Sequence, residues 1–193
     1  MQSFKSIVEN HDSFLITTHK SPDGDAIGSV TACYFFLKNK KKRVTVLLPD
    51  QPADFLLPFL QNVDYKVFVN CDLDEIQEML KMDASIHMDY NDPSRVGSEM
   101  SSIFNQLTGP SIMIDHHPNP ADFTKFSISK VSASSTAELF FEILEETKMN
   151  DFIDISCARG IYLGIMTDTG SFRFPSVSAY THYVIQKLLS LGL

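Results

Sequence analysis

Compact apolar runs of four to six residues alternate along this chain with longer stretches whose apolar positions recur every three or four residues. Residues 13–18, 43–48, 84–89 and 111–114 are apolar and partly β-branched, and they read as buried strands. Residues 65–69 read as a further short strand. Residues 26–37 place Ile27, Val30, Tyr34 and Leu37 on one helical face. Residues 73–80 also read as a helix, as do 153–166, with Ile155, Ala158, Ile161, Tyr162 and Ile165, and 179–191, stopped by Gly192. Ser135-Thr136-Ala137-Glu138 matches a capping box that opens a helix through Glu146. The spacing in 98–107 is weakly helical, 53–60 reads as a helix broken at Pro58, and 118–134 reads as loop with some extended character. Apolar strands without strict alternation, separated by helices, predict an α/β fold: one open, mainly parallel β-sheet with helices on both faces.

Composition narrows the class. The 193 residues are 44% hydrophobic, enough for one domain with a real core, and no internal repeat divides them. The formal net charge of −8 repels nucleic acid over most of the surface, which argues against a protein that coats duplex DNA. A local basic pocket for a small phosphorylated ligand is compatible with that balance. No apolar stretch reaches bilayer length, and the N-terminal residues include acidic groups and lack a signal-peptide core. Cys33, Cys71 and Cys157 are far apart and form no C-x-x-C pair, so the expectation is three reduced thiols in a cytoplasmic protein.

Candidate chemistry sits where apolar runs end. His19-x3-Asp23-Gly24-Asp25 follows the first strand, Asp89 ends the strand over 84–89, Asp115-His116-His117 follows 111–114, and Asp168 ends the helix over 153–166. In open α/β sheets ligands bind beyond the carboxyl ends of strands, so these groups can converge on one rim. Two imidazoles and four carboxylates there suit two divalent cations. Each motif also has a plainer reading. Pro-Asp-Gly-Asp suits a turn, with Asp23 as an Asx-turn residue and Asp25 as a helix N-cap. Asp89 lies in a polar turn with Asp92 as a competing candidate, and His116-His117 would serve as a surface pair. Asp168 at a helix C-terminus conflicts with the macrodipole unless a cation is near. Arg95 and Arg173 are the basic residues suited to a phosphate. His11, His87 and His182 lack partners in spacing and read as structural or surface residues. The basic run from Lys38 to Arg43 reads as a solvated helix terminus.

Taken together, His19-Lys-Ser-Pro-Asp23-Gly-Asp25-Ala-Ile-Gly28-Ser29, Asp89, Asp115-His116-His117-Pro118 and Gly164-Ile-Met-Thr-Asp168-Thr-Gly-Ser-Phe-Arg173 resemble the DHH phosphoesterase superfamily, in the family's order and over most of the chain. The branch it resembles most contains oligoribonucleases and 3′-phosphoadenosine-5′-phosphate phosphatases, some described as exopolyphosphatase-related. The resemblance implies a dinuclear centre, usually Mn²⁺, with Mg²⁺ or Co²⁺ as other ions such ligands accept. His19 and Asp23 would hold one ion, and Asp25, His116 and Asp168 the other. Asp89 would bridge them, Asp115 would sit behind the ligands, and His117 would face substrate phosphate beside Arg95 and Arg173. The implied reaction is phosphoester hydrolysis on a short oligoribonucleotide or small phosphorylated nucleotide. Two alternatives stay open: an inorganic pyrophosphatase-like hydrolase, and a metal- or nucleotide-binding module with little activity. Members of this branch usually continue into a smaller DHHA1-type domain with a glycine-rich motif. No such cluster is present, so the expectation is a DHH catalytic domain over 1–193 without that second domain. Homodimerisation is left open.

Overall fold

The computed structural model describes residues 1–193. Six strands, β1 (Ser13–Thr17), β2 (Arg43–Leu48), β3 (Tyr65–Val67), β4 (Ala84–Met88), β5 (Ser111–Asp115) and β6 (Phe126–Ser129), form one sheet in the order β3-β2-β1-β4-β5-β6. Every pair is parallel, as the predicted architecture requires. Strand order reverses between β1 and β4, and the crevice above that reversal is where α/β sheets take their ligands.

Helices cover both faces, unequally. Strand side chains alternate, so Phe14 and Ile16 point to one face and Leu15 to the other. On the thick face, α1 (Gln2–Asn10), α2 (Gly24–Asn39), α5 (Thr136–Glu146), α6 (Ile155–Asp168) and α7 (Ala179–Leu189) share the main core. On the thin face, α3 (Leu73–Leu80) and α4 (Ser98–Ile103) pack Ile76, Met79, Leu80 and Met100 against Leu15, Leu47 and Tyr90. No helix is long and apolar enough to cross a membrane.

Several local expectations need correction. Residues 126–129, read as part of a loop with some extended character, form the edge strand β6; its residues are half-exposed, so no continuous apolar run marks it. The first ten residues hold α1, which buries Phe4, Ile7 and Val8 on one face at spacings of three and four. The strand over 65–69 stops at Val67 and passes into a 3₁₀ turn over Phe68–Asn70. Asp54–Leu60 is a 3₁₀ helix that contains Pro58, and the weak pattern over 98–107 splits into α4 and a 3₁₀ turn. Asp23, not Asp25, caps α2: its Oδ1 accepts the Asp25 and Ala26 N–H groups, each at 3.0 Å.

The crossing of α2 and α6 positions the site. The two helices run in opposite directions in backbone contact. A Cβ on Gly28 would lie 2.5 Å from the Gly160 carbonyl oxygen, and one on Gly160 would lie 2.6 Å from that of Gly28. This approach carries the C-terminus of α6, with Asp168, to the N-terminus of α2, with Asp23 and Asp25.

Candidate metal centre

Each sequence-predicted ligand reaches the rim from a different element end. His19 lies just past β1, Asp89 just past β4, and His116 just past β5; Asp23 and Asp25 open α2, and Asp168 closes α6. Besides an overlapping set of Asp89, His116 and His117, the donor atoms gather in two adjoining groups, one of His19, Asp23 and Asp89 and one of Asp25, His116 and Asp168, each within 4.8 Å. Asp89 faces both: its Oδ2 is 3.4 Å from His19 Nε2, and its Oδ1 is 3.9 Å from His116 Nε2. His116 Nε2 also lies 3.4 Å from Asp168 Oδ2 and 3.9 Å from Asp25 Oδ2.

Hydrogen bonds fix the histidine tautomers. His19 Nδ1 lies 2.8 Å from the Lys20 carbonyl oxygen, which can only accept, so Nδ1 carries the proton. In the neutral ring His19 Nε2 therefore presents the lone pair, and it is buried without a hydrogen-bond partner. His116 repeats the arrangement, with Nδ1 donating to the Ala133 carbonyl at 3.3 Å. Carbonyl-oriented imidazoles beside carboxylates are the donor set that Mn²⁺, Co²⁺ or Zn²⁺ takes, and the orphaned Nε2 of His19 fits a cation. His117 differs: its Nδ1 donates to Asp115 Oδ1 at 2.8 Å. Although that nitrogen is 3.8 Å from Asp89 Oδ1, its lone pair is not free, so His117 is not a ligand through this atom.

Metal-free electrostatics are unfavourable, as expected of a charge-dense site. Burial, then the charges of Asp89 and Asp168, pushes the Asp25 carboxyl well above its ordinary range, against the opposing pull of two backbone donors. Burial, together with Asp89 and Asp23, raises Asp168. At His19 burial disfavours the charged ring, but Asp89, the Lys20 carbonyl and Asp23 outweigh it and the pKa rises. The Asp115 hydrogen bond raises His117.

Asp89 adopts φ +64°, a left-handed conformation that is uncommon for a non-glycine residue and costs roughly 1–3 kcal/mol. Its backbone N–H is tied to Ile114, and the next residue, Tyr90, is fully buried with its hydroxyl bonded to His87. After Asp168, Gly170, Ser171 and Phe172 make a left-handed turn, with φ of 56°, 60° and 65°.

Sequence reasoning missed the residues behind these ligands. The first N–H groups of α5, from Thr136 and Ala137, donate to the two Asp25 oxygens at 2.7 and 3.0 Å, and Ser29 adds a hydroxyl at 3.3 Å. Thr136 Oγ1 donates to Asp89 Oδ1 at 2.8 Å. The signal was available, because the Ser-Thr-Ala-Glu capping pattern marks a helix N-terminus, and such ends bind anions. The capping box itself is only half formed: Ser135 accepts the Glu138 N–H, but Glu138 turns to Ser134. His87, read as structural, is buried and held neutral, with its pKa lowered to about 3 by burial. Of the two arginines, Arg95 is half-buried and close enough to His117 to oppose its protonation. Arg173 is exposed and donates Nε–H to the Gly170 carbonyl at 2.6 Å.

Comparison with known proteins agrees with this fold. Residues 13–165 match the model of the DHH family, N-terminal domain. A bifunctional oligoribonuclease and PAP phosphatase NrnA of Thermus thermophilus is 28% identical over 92% of this chain, which covers 50% of that protein. The crystal structure of an exopolyphosphatase-related protein from Bacteroides fragilis superimposes on the whole chain with a TM-score of 0.94 and 35% identity, and 56% of that protein is covered. The structure of exonuclease RecJ bound to manganese superimposes on 98% of the chain and 46% of its own, with a TM-score of 0.54 and 11% identity, a likeness of fold. The chain thus spans about half the length of these relatives. It belongs to the DHH family, whose N-terminal domain it contains.

Proposed function

We propose that this chain is the phosphoesterase half of a hydrolase that cleaves short oligoribonucleotides or 3′-phosphoadenosine-5′-phosphate with the help of two divalent cations, Mn²⁺ foremost. The observation that carries the reading is Asp89, whose two oxygens face two separate ligand groups, one of them containing the orphaned Nε2 of His19. His19 and Asp23 would hold one cation, Asp25, His116 and Asp168 the other, with Asp89 between them. Bound there, the cations would supply Lewis acidity toward phosphoryl oxygens and acidify the attacking water.

The remaining work falls to residues of the chain. Asp115 keeps His117 in one tautomer and favours its charged form, so His117 Nε2 can donate a proton to a phosphoryl oxygen. Arg95 adds positive charge beside it. The four ligand carboxylates balance two divalent charges, which would relieve the repulsion that raises Asp25 and Asp168. The Thermus relative bears the name of an oligoribonuclease and PAP phosphatase, and the substrate reading rests on that likeness.

The test is Asp89→Ala, assayed with Mn²⁺ on a short oligoribonucleotide and on 3′-phosphoadenosine-5′-phosphate. The expected loss is about 10³-fold or more, since a shared ligand serves both cations. Near wild-type turnover in the variant would end the reading.

A further inference from the structure

We infer that Thr136 is a positioning residue that ties the two ligand groups together and sets the geometry of Asp89; the inference rests on the two-cation reading above. Thr136 is the first residue of α5, fully buried, and it touches both groups at once. Its backbone N–H donates to Asp25 Oδ2 at 2.7 Å, and its hydroxyl donates to Asp89 Oδ1 at 2.8 Å. No other residue donates hydrogen bonds to both carboxylates.

The chemistry gives that pair of bonds a purpose. A carboxylate that must serve two cations needs each oxygen aimed at a different one. Asp89 starts from a strained backbone, φ +64°, which by itself leaves χ1 and χ2 free to turn. The Thr136 hydroxyl occupies one lone pair of Oδ1 and fixes the carboxylate plane. With Oδ1 so held, Oδ2 is left 3.4 Å from His19 Nε2, and Oδ1 stays 3.9 Å from His116 Nε2. The same helix end holds Asp25 with two N–H groups and the positive end of its macrodipole. Because one rigid helix terminus carries both contacts, Asp25 and Asp89 cannot move independently. Rotation of the Asp89 carboxylate would leave a buried hydroxyl without its acceptor, a costly state.

Thr136→Val separates this role from simple packing, because it keeps the shape and the backbone N–H and removes only the hydroxyl. Thr136→Ser restores the hydroxyl. Mn²⁺ binding is titrated calorimetrically on protein whose near-ultraviolet circular dichroism matches wild type, with Thr136→Ala in reserve should the valine variant fail to fold. Wild type and Thr136→Ser should bind two Mn²⁺ with similar affinity. Thr136→Val should bind at least one of them roughly 10- to 100-fold more weakly, the range for outer partners of metal ligands. Electron paramagnetic resonance of the loaded protein should show spin coupling between the ions in wild type and in Thr136→Ser, and weakened coupling in Thr136→Val. Unchanged Mn²⁺ affinity in folded Thr136→Val would overturn the inference and leave the two-cation reading standing. Failure of wild type to bind Mn²⁺ would overturn both.

Discussion

The two ligand groups are built by different means. His19 and Asp23 come from one short loop, four residues apart, and need only Asp89 from the neighbouring strand. Asp25, His116 and Asp168 come from a helix start, a strand end and a helix end, and nothing local relates them. Exposure differs as well: the Asp23 side chain is 62% exposed, that of Asp25 1%. Asp23 spends one oxygen on capping α2, whereas Asp25 is fixed by the N-terminus of α5 and by Ser29. Within the first group Asp23 is therefore a local loop feature with room to adjust, although His19 and Asp89 beside it are buried. Asp25, at the centre of the second, is set by tertiary packing and held against a large desolvation cost.

The sharpest way to break this contrast is at Gly164. A Cβ there would lie 2.4 Å from Asp25 Oδ1 and 2.5 Å from the Ala137 Cβ, so Gly164→Ala drives α6 from α2 and α5 together. The overpacking should cost about 1–3 kcal/mol in urea denaturation. Displacing Asp25 and Asp168 should lower hydrolysis about 100-fold. Mn²⁺ titration should lose binding at the second group and weaken it less at the first, which feels the change only through Thr136 and Asp89. Equal weakening of both would mean the groups are not separable.

Legibility in the sequence follows the same division. His19-x3-Asp23 could be read because its ligands share one loop after an apolar strand. Asp89 and His116 could be read because each closes an apolar run. That Asp168 meets Asp25 was implied only by the family resemblance and not by pattern, because their approach depends on Gly28 and Gly160 letting two helix backbones touch. Periodicity reports which face of a helix is apolar, not which partner it meets or how closely. Thr136 stayed hidden for a similar reason: the capping pattern located the helix start, but only the fold aims that start at Asp25 and Asp89. The edge strand β6 lacked an apolar run, and α1 is too short for its face to stand out beside the motifs.

A second, intermediate test uses pH. In the metal-free protein Asp25 and Asp168 are raised from 3.8, and His19 and His117 from 6.5. Each of these groups holds its proton more tightly folded than unfolded. Their contribution to stability is therefore complete below those ordinary values and is lost as pH rises through the folded values. His87 has the opposite sign: its pKa of about 3 gives stability that is present above 6.5 and lost as pH falls. The Tm of the metal-free protein mixes both, but His87 lies outside the ligand set, so the Tm gain from saturating Mn²⁺ isolates the site. That gain should grow between pH 5.5 and 8, because the cations replace protons on the ligands. A gain independent of pH would mean that the raised groups do not ligate.

The smallest effect, and the finest comparison, comes from one substitution made twice. Asn is as good a helix cap as Asp, so Asp23→Asn keeps both N–H bonds at the start of α2. Metal-free stability should stay within about 0.5 kcal/mol of wild type, while Mn²⁺ at the first group weakens by about tenfold or more. Asp25→Asn meets a different environment. Thr136 and Ala137 each present an N–H to one oxygen, so an amide must set its NH₂ against one of them. One buried donor is left unsatisfied, which costs about 1–3 kcal/mol. Relief of the repulsion from Asp89 and Asp168 offsets part of that cost, so the net loss should fall toward the lower end. The same chemical change should thus be nearly silent in stability at residue 23 and clearly visible at residue 25, by urea denaturation without metal. Equal losses at both positions would show that the first group is as tightly built as the second.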